Sequence, residues 1–344
     1  MTTAKVNLLN DYNTVAHPSI LEALQAQMEE KFDGYGLDED SEAAREMILG
    51  LVQNPHAAVH FLIGGTHTNL VALSAFLRPH EAAIASFPAH ISQFETGAIE
   101  ACGHKVLTLE SSDGKIYPEA IEKVLVFHHD EHMVKPRLVY ISQTTEYGTV
   151  YTLDELRALH ELCKANNLLL YVDGARLGYA LASNLCDFSL PQIAELVDAF
   201  YIGGTKNGLL FGEALVLCNP ELGNDFRYFI KQRGGLLAKG FLLGIQFQAL
   251  FKDNLYLELA RDANLKAARL SSELESLGYS SEIETESNQL FPIIDNEELP
   301  RLGEHILFNI WDQIGTEQTS IRFVVSWKTT EDEIQTVLKL MKRH

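Results

Sequence analysis

A lysine closing one short apolar run and an aspartate closing another are the residues of this chain best suited to covalent chemistry. Lys206 stands in Gly203-Gly204-Thr205-Lys206-Asn207-Gly208, directly after Ala199-Phe200-Tyr201-Ile202. Upstream, Leu168-Leu169-Leu170-Tyr171-Val172 ends in Asp173-Gly174-Ala175-Arg176. A lysine amine condenses with an aldehyde, and a buried carboxylate keeps a pyridine nitrogen protonated so that the ring draws in electrons. Together they are what a pyridoxal phosphate (PLP) site needs. Taken singly, Lys206 reads as a surface lysine on a glycine-rich turn and Asp173 as a helix N-cap. Two buried strands ending side by side favour the ligand site, because open α/β sheets bind at the carboxyl ends of their strands.

Other residues fit the same site. Ile63-Gly64-Gly65-Thr66-His67-Thr68-Asn69 follows an apolar run and opens a helical pattern. Glycines allow close approach to an anion, and free N–H groups at a helix start point at it. The absence of GxGxxG suits a single phosphate better than a dinucleotide. An ordinary strand-to-helix turn explains the same residues. His90, in Phe87-Pro88-Ala89-His90, offers an aromatic ring to stack on a cofactor and a near-neutral acid or base. Glu95 and Gly97 follow in supporting positions. His128, His129 and His132, with Asp130 and Glu131, read as a polar loop, and no metal site is expected there.

The elements that must position these groups are short. Runs at 57–62, 82–86, 105–109, 138–142, 168–173, 199–202 and 214–218 read as strands with helical segments between most of them. That alternation defines an α/β protein with a mostly parallel, seven-stranded sheet covered on both faces. A helix is expected after His17, with Pro18 in its first turn and Ile20, Leu21, Leu24, Met28 and Phe32 on one face. Thr152 and Glu155 form a capping box. Beyond about residue 245 the pattern changes to a long helix at 256–277, strands at 289–294 and 321–326, and a last helix from the Thr330/Glu333 box. The expected division is a large domain over 1–245, with an N-terminal arm, and a small α+β domain over 246–344.

Net charge is −20 over 344 residues. Such acidity argues against nucleic acid and anionic membrane as partners and for a soluble protein, general solubility being its plainest reading. Cys102, Cys163, Cys186 and Cys218 are scattered without metal-like spacing and read as core residues of a reducing compartment. The first thirteen residues lack the basic and apolar regions of a signal peptide, so the expected location is the cytoplasm.

Across nearly its whole length the chain resembles the threonine aldolase and β-eliminating lyase branch of the fold-type I PLP-dependent enzymes. Asn10-Asp11-Tyr12-Asn13-Thr14, Gly34-Tyr35-Gly36, Gly65-Thr66, Pro88-Ala89-His90, Asp173-Gly174-Ala175-Arg176-Leu177 and Thr205-Lys206 carry the resemblance. It implies that Lys206 bonds the cofactor, Asp173 pairs with its ring nitrogen and His90 stacks on the ring. Gly65, Thr66 and Thr205 would bind phosphate, with Lys239 in place of a family arginine. Arg176 and Arg322 would clamp the substrate carboxylate. Asn10 stands where the family has serine, and Tyr35 is a contributor to a neighbouring subunit. His132 falls near a second family histidine, so His90, His132 or a water held by them is the expected base. The implied activity is cleavage of a β-hydroxy-α-amino acid (threonine, allo-threonine or phenylserine) to glycine and an aldehyde by a homodimer or homotetramer. β-Elimination, racemisation or transamination on the same residues is the alternative, and a non-catalytic binding protein a third reading.

Overall fold

The computed structural model describes residues 5–342. Residues 1–4, which open the segment read against a signal peptide, and 343–344 lie outside it. After a two-residue strand β1 (Val6–Asn7), seven strands build one sheet: β2 (Ala58–Leu62), β3 (Glu81–Ser86), β4 (Lys105–Leu109), β5 (Lys135–Ser142), β6 (Leu169–Asp173), β7 (Ala199–Gly203) and β8 (Glu213–Leu217). All seven expected runs are strands, with ends shifted by a few residues. The spatial order is β2-β8-β7-β6-β5-β3-β4. Every neighbouring pair is parallel except those involving β8, which runs against both β7 and β2.

The sheet is buried on both faces, and the two-residue side-chain period divides its residues between two cores. Val139, Ile141, Leu170, Val172, Phe200 and Ile202 join one. Leu138, Tyr140, Leu169, Tyr171, Ala199 and Tyr201 join the other. Asp173 follows Tyr171 by two residues and therefore points to the tyrosine side. The register pairs Tyr140 with Tyr171 and Ser142 with Asp173. Helix Gly65–Phe76 packs on that same side, with Val71, Ala72 and Leu73 in its core.

The Thr152/Glu155 capping box starts helix Leu153–Ala165, as expected. The first helix is shorter than expected, Pro18–Ala26, so Met28 and Phe32 do not belong to its face. Met28 is exposed, and Phe32 finds its burial sideways, stacked at 4.3 Å on Phe241.

Beyond helix Leu255–Ser276 come β9 (Gln289–Leu290), β10 (Ile293–Asp295), β11 (Ile306–Leu307), β12 (Asn309–Ile314) and β13 (Gln318–Val324), then helix Glu331–Met341. The expected single strand at 289–294 is two strands, since Pro292 has no N–H to donate to a ladder. β12 was not expected. It is a half-exposed edge strand whose one neighbour is β13, so it needs little apolar content. β1 pairs in parallel with β11, and Val6 and Leu8 pack with Ala260, Leu270 and Phe323. The start of the chain is thereby tied to its last third, which brings Asp11 and Tyr12 to the sheet's carboxyl edge.

Candidate active site

A cavity of about 820 Å³ opens at the carboxyl ends of β5, β6 and β7 and is closed from the far side by β12 and β13. Asp173, Arg176, Thr205, Lys206, His90 and Arg322 all line it, as do Gly65 and Thr66. Another cavity, of about 610 Å³, lies against the outer helix Pro18–Ala26 and shares no residue with the strand ends. Two glycines make the convergence possible. A Cβ on Gly174 would overlap Tyr201 O, and one on Gly203 would overlap Ala175 O. The turns after β6 and β7 interlock at a distance only glycine allows, and Asp173 and Lys206 emerge into one space.

Asp173 is 4% exposed. Its Oδ2 accepts from Asn69 Nδ2 at 2.9 Å and Tyr140 OH at 2.5 Å, and its Oδ1 from Tyr201 OH at 2.5 Å and Ala175 N at 3.0 Å. Burial pushes this carboxyl up, but the His90 charge and the bonds from Tyr140, Tyr201 and Asn69 outweigh it and hold it below the usual carboxylate value. It is not a helix N-cap: it closes a turn onto Ala175, and the next helix starts at Leu177 with Arg176 at the cap position. Asn69 also donates to Glu95 Oε1 at 2.8 Å, and that oxygen contacts His90 Nδ1 at 2.9 Å. A continuous polar chain thus runs from His90 through Glu95 and Asn69 to Asp173.

Lys206 makes no side-chain hydrogen bond among the described residues. Burial, and then the Arg176 charge, push its amine below the ordinary lysine value, while Asp11, Asp173 and Glu213 pull it back up. Thr205 lines the cavity with its hydroxyl engaged within the chain. It donates to Glu213 Oε1 at 2.7 Å and accepts from Gly212 N at 3.0 Å. Glu213, which sequence reasoning missed, also accepts from Gly204 N at 2.8 Å, and burial pushes its carboxyl up to about 7. The anion cradle that remains is the start of helix Gly65–Phe76, whose Gly64, Gly65 and Thr66 face the cavity.

The two expected arginines differ. Arg176 is bound to Asp11, Nε to Oδ2 at 2.8 Å and Nη2 to Oδ1 at 3.1 Å. Arg322 has no ion pair among the described residues. Its guanidinium lies 4.9 Å over the Trp311 ring, its Nε is buried without a hydrogen bond, and desolvation, then Arg176, push it down to about 10.

Four expected site residues fall elsewhere in this chain. His132 is exposed on the loop before β5, at the amino end of that strand, roughly 33 Å of extended chain from Ser142 at the cavity wall. Asn10 accepts from Tyr12 N at 3.0 Å and does not line the cavity; its neighbours Asp11 and Tyr12 approach it instead. Tyr35 and Lys239 are exposed, and Tyr35 lines a separate small cleft with Gly240. The turn after β5 also brings Glu146 to the wall, a residue the sequence reading passed over. Its place beyond a strand's carboxyl end was the available signal.

An uncommitted amine, an anionic carboxylate on a neighbouring strand and a helix-start anion cradle fit PLP. The fold and these residues define the fold-type I class of PLP-dependent enzymes. The chain belongs to the Beta-eliminating lyase family, whose model matches residues 7–297. It is similar to a low specificity L-threonine aldolase from a Pseudomonas species, 35% identical over 88% of this chain and 87% of the relative. The solved structure of Leishmania major threonine aldolase is 45% identical, with 98% of each chain covered and a TM-score of 0.96. Thermus thermophilus aspartate aminotransferase, 15% identical with a TM-score of 0.73 over 98% of this chain and 91% of that one, shares the fold alone.

Proposed function

We propose that this protein is a PLP-dependent aldolase that cleaves a β-hydroxy-α-amino acid of threonine, allo-threonine or phenylserine type to glycine and an aldehyde. The observation that carries this reading is the free amine of Lys206 beside the anionic Asp173, in a cavity that also presents the unpaired guanidinium of Arg322. The threonine aldolases it is similar to support the same activity. Lys206 would bond the cofactor, Asp173 would hold its ring nitrogen, Gly65 and Thr66 its phosphate, and His90 its ring face. When bound, PLP supplies an electron-withdrawing ring that stabilises the electron pair released at Cα.

The chain's own residues do the rest. Asp173 stays anionic at neutral pH, as a partner of a protonated ring nitrogen must. The depressed amine of Lys206 is closer to its neutral, nucleophilic form than an exposed lysine. Arg322, with Arg176 behind it, binds the substrate carboxylate and so decides which Cα bond stands ready to break. A base on the wall takes the β-hydroxyl proton.

The reading includes a cytoplasmic homodimer or homotetramer. Support for assembly comes from Tyr35 and Lys239, which are exposed and held together: Tyr35 N donates to Ala238 O at 3.2 Å, the residue before Lys239. Neither lines the large cavity of its own chain, which leaves both open to a neighbouring copy.

The test is aldehyde and glycine release by PLP-loaded protein from L- and D-threonine, their allo forms and phenylserine, with Lys206→Ala as control. Equal amounts of the two products, absent in the variant, are expected. Pyruvate with ammonia, or an oxo-acid, would replace the aldolase reading with elimination or transamination.

A further inference from the structure

The turn after β5, Thr144-Thr145-Glu146-Tyr147-Gly148, brings to the cavity a carboxylate that the steps above leave unused. Glu146 is 8% exposed. Its Oε1 accepts from the backbone N–H of His90 and from Ser142 Oγ, each at 2.8 Å. Its Oε2 is buried and has no hydrogen-bond partner among the described residues. A bare carboxylate oxygen in a dry wall costs free energy unless a ligand supplies its proton donor.

The groups that face it come from both halves of the cavity. Asp173 and His90 act on its carboxyl from the side that would hold the cofactor ring. Its charge is felt in turn by Arg176 and Arg322 on the carboxylate-binding side, and by the Tyr140 hydroxyl. Glu146 lines the same cavity as the residues of the expected ring site and of the expected carboxylate site, on the wall of the space a substrate would fill. Burial pushes its carboxyl up, Ser142 pulls it down and Asp173 adds to the upward push, with the balance above the ordinary value. That direction suits a group exchanging protons near neutral pH. His90 is less suited. Its Nδ1 is taken by Glu95, and a ring stacked on the cofactor keeps its nitrogen lone pairs in its own plane.

We propose that Glu146 is the base that takes the β-hydroxyl proton of the substrate, a role that rests on the aldolase reading. The O–H bond breaks and the proton passes to Oε2. The O–H electron pair becomes the second C–O bond of the aldehyde. The Cα–Cβ bond breaks, and its electron pair stays with the glycine fragment. Glu146 then gives its proton to water and is again a carboxylate, while Cα takes a proton from water, so the cleavage balances without oxidant or reductant.

Glu146→Gln keeps an acceptor for His90 N and Ser142 Oγ and removes only the basic oxygen. Three measurements on the PLP-loaded protein decide the matter: aldehyde release, the visible absorption of bound PLP, and exchange of the glycine Cα proton in D₂O, a reaction with no hydroxyl to deprotonate. Aldehyde release should fall by about 100-fold or more, while bound-PLP absorption and glycine exchange stay within about threefold of wild type. Loss of exchange together with cleavage, or cleavage within about threefold of wild type, would overturn the role. Ser142→Ala is a second handle: losing its donated bond should move the acid limb of kcat/KM to higher pH, and an unmoved limb counts against Glu146. A wild-type protein that exchanges glycine but releases no aldehyde overturns the aldolase reading itself, and this role with it. Aldehyde release by wild type with no defect in Glu146→Gln overturns this role alone.

Discussion

Arg176 gives both Nε and Nη2 to the carboxylate of Asp11, at 2.8 and 3.1 Å, and Asn288 Nδ2 adds a third bond to Asp11 at 3.0 Å. Arg176 is therefore already neutralised, and of the two arginines in the cavity only Arg322 is without a carboxylate partner among the described residues. The sequence treats the two as equal clamps; the ion pair makes them unequal.

Arg322→Ala should consequently act on substrate binding. A charge-assisted bond to a carboxylate contributes about 1.5–3 kcal/mol, so KM should rise by roughly 10–100-fold, with PLP absorption retained. Steady-state kinetics checks this, and an unchanged KM would assign the substrate carboxylate elsewhere.

Asp11→Ala should act on stability. Asp11 is buried and Arg176 nearly so, and removing one partner strands the other charge. The expected loss is about 3–5 kcal/mol, read from urea unfolding. A loss no larger than that of a surface substitution would show that water replaces the pair.

Glu213 makes a pH prediction. The native protein, with this carboxyl pushed up to about 7 from 4.5, holds a proton that the unfolded chain has released. The group's contribution to stability is complete below 4.5 and is lost as pH rises through about 7. Glu213→Gln cannot ionise, so its thermal midpoint should decline less than that of wild type between those two values. Parallel profiles would mean that Glu213 is charged throughout.

His132→Ala should leave kcat/KM within about twofold, since the side chain sits on an exposed loop at the far end of β5. A large loss, measured on the assembled protein, would place His132 in a neighbouring subunit's cavity.

Local pattern was enough for much of this. Buried strands announce themselves by unbroken apolar runs, which is why β6 and β7, the terminal Asp173 and the following Lys206 were legible in the sequence. Capping boxes at Thr152 and Thr330 were legible because a cap acts over only three residues. What tertiary structure decided is whatever depends on residues far apart in the chain. Asp11 and Arg176 meet because β1 is pinned to β11. Thr205 reaches Glu213 because β8 runs back antiparallel beside β7. Glu146 faces His90 across the ends of β3 and β5, a contact that its place beyond the carboxyl end of β5 does not by itself reveal. Hydrogen bonds and desolvation act through space, so the partners that set each group's charge are assembled only by folding.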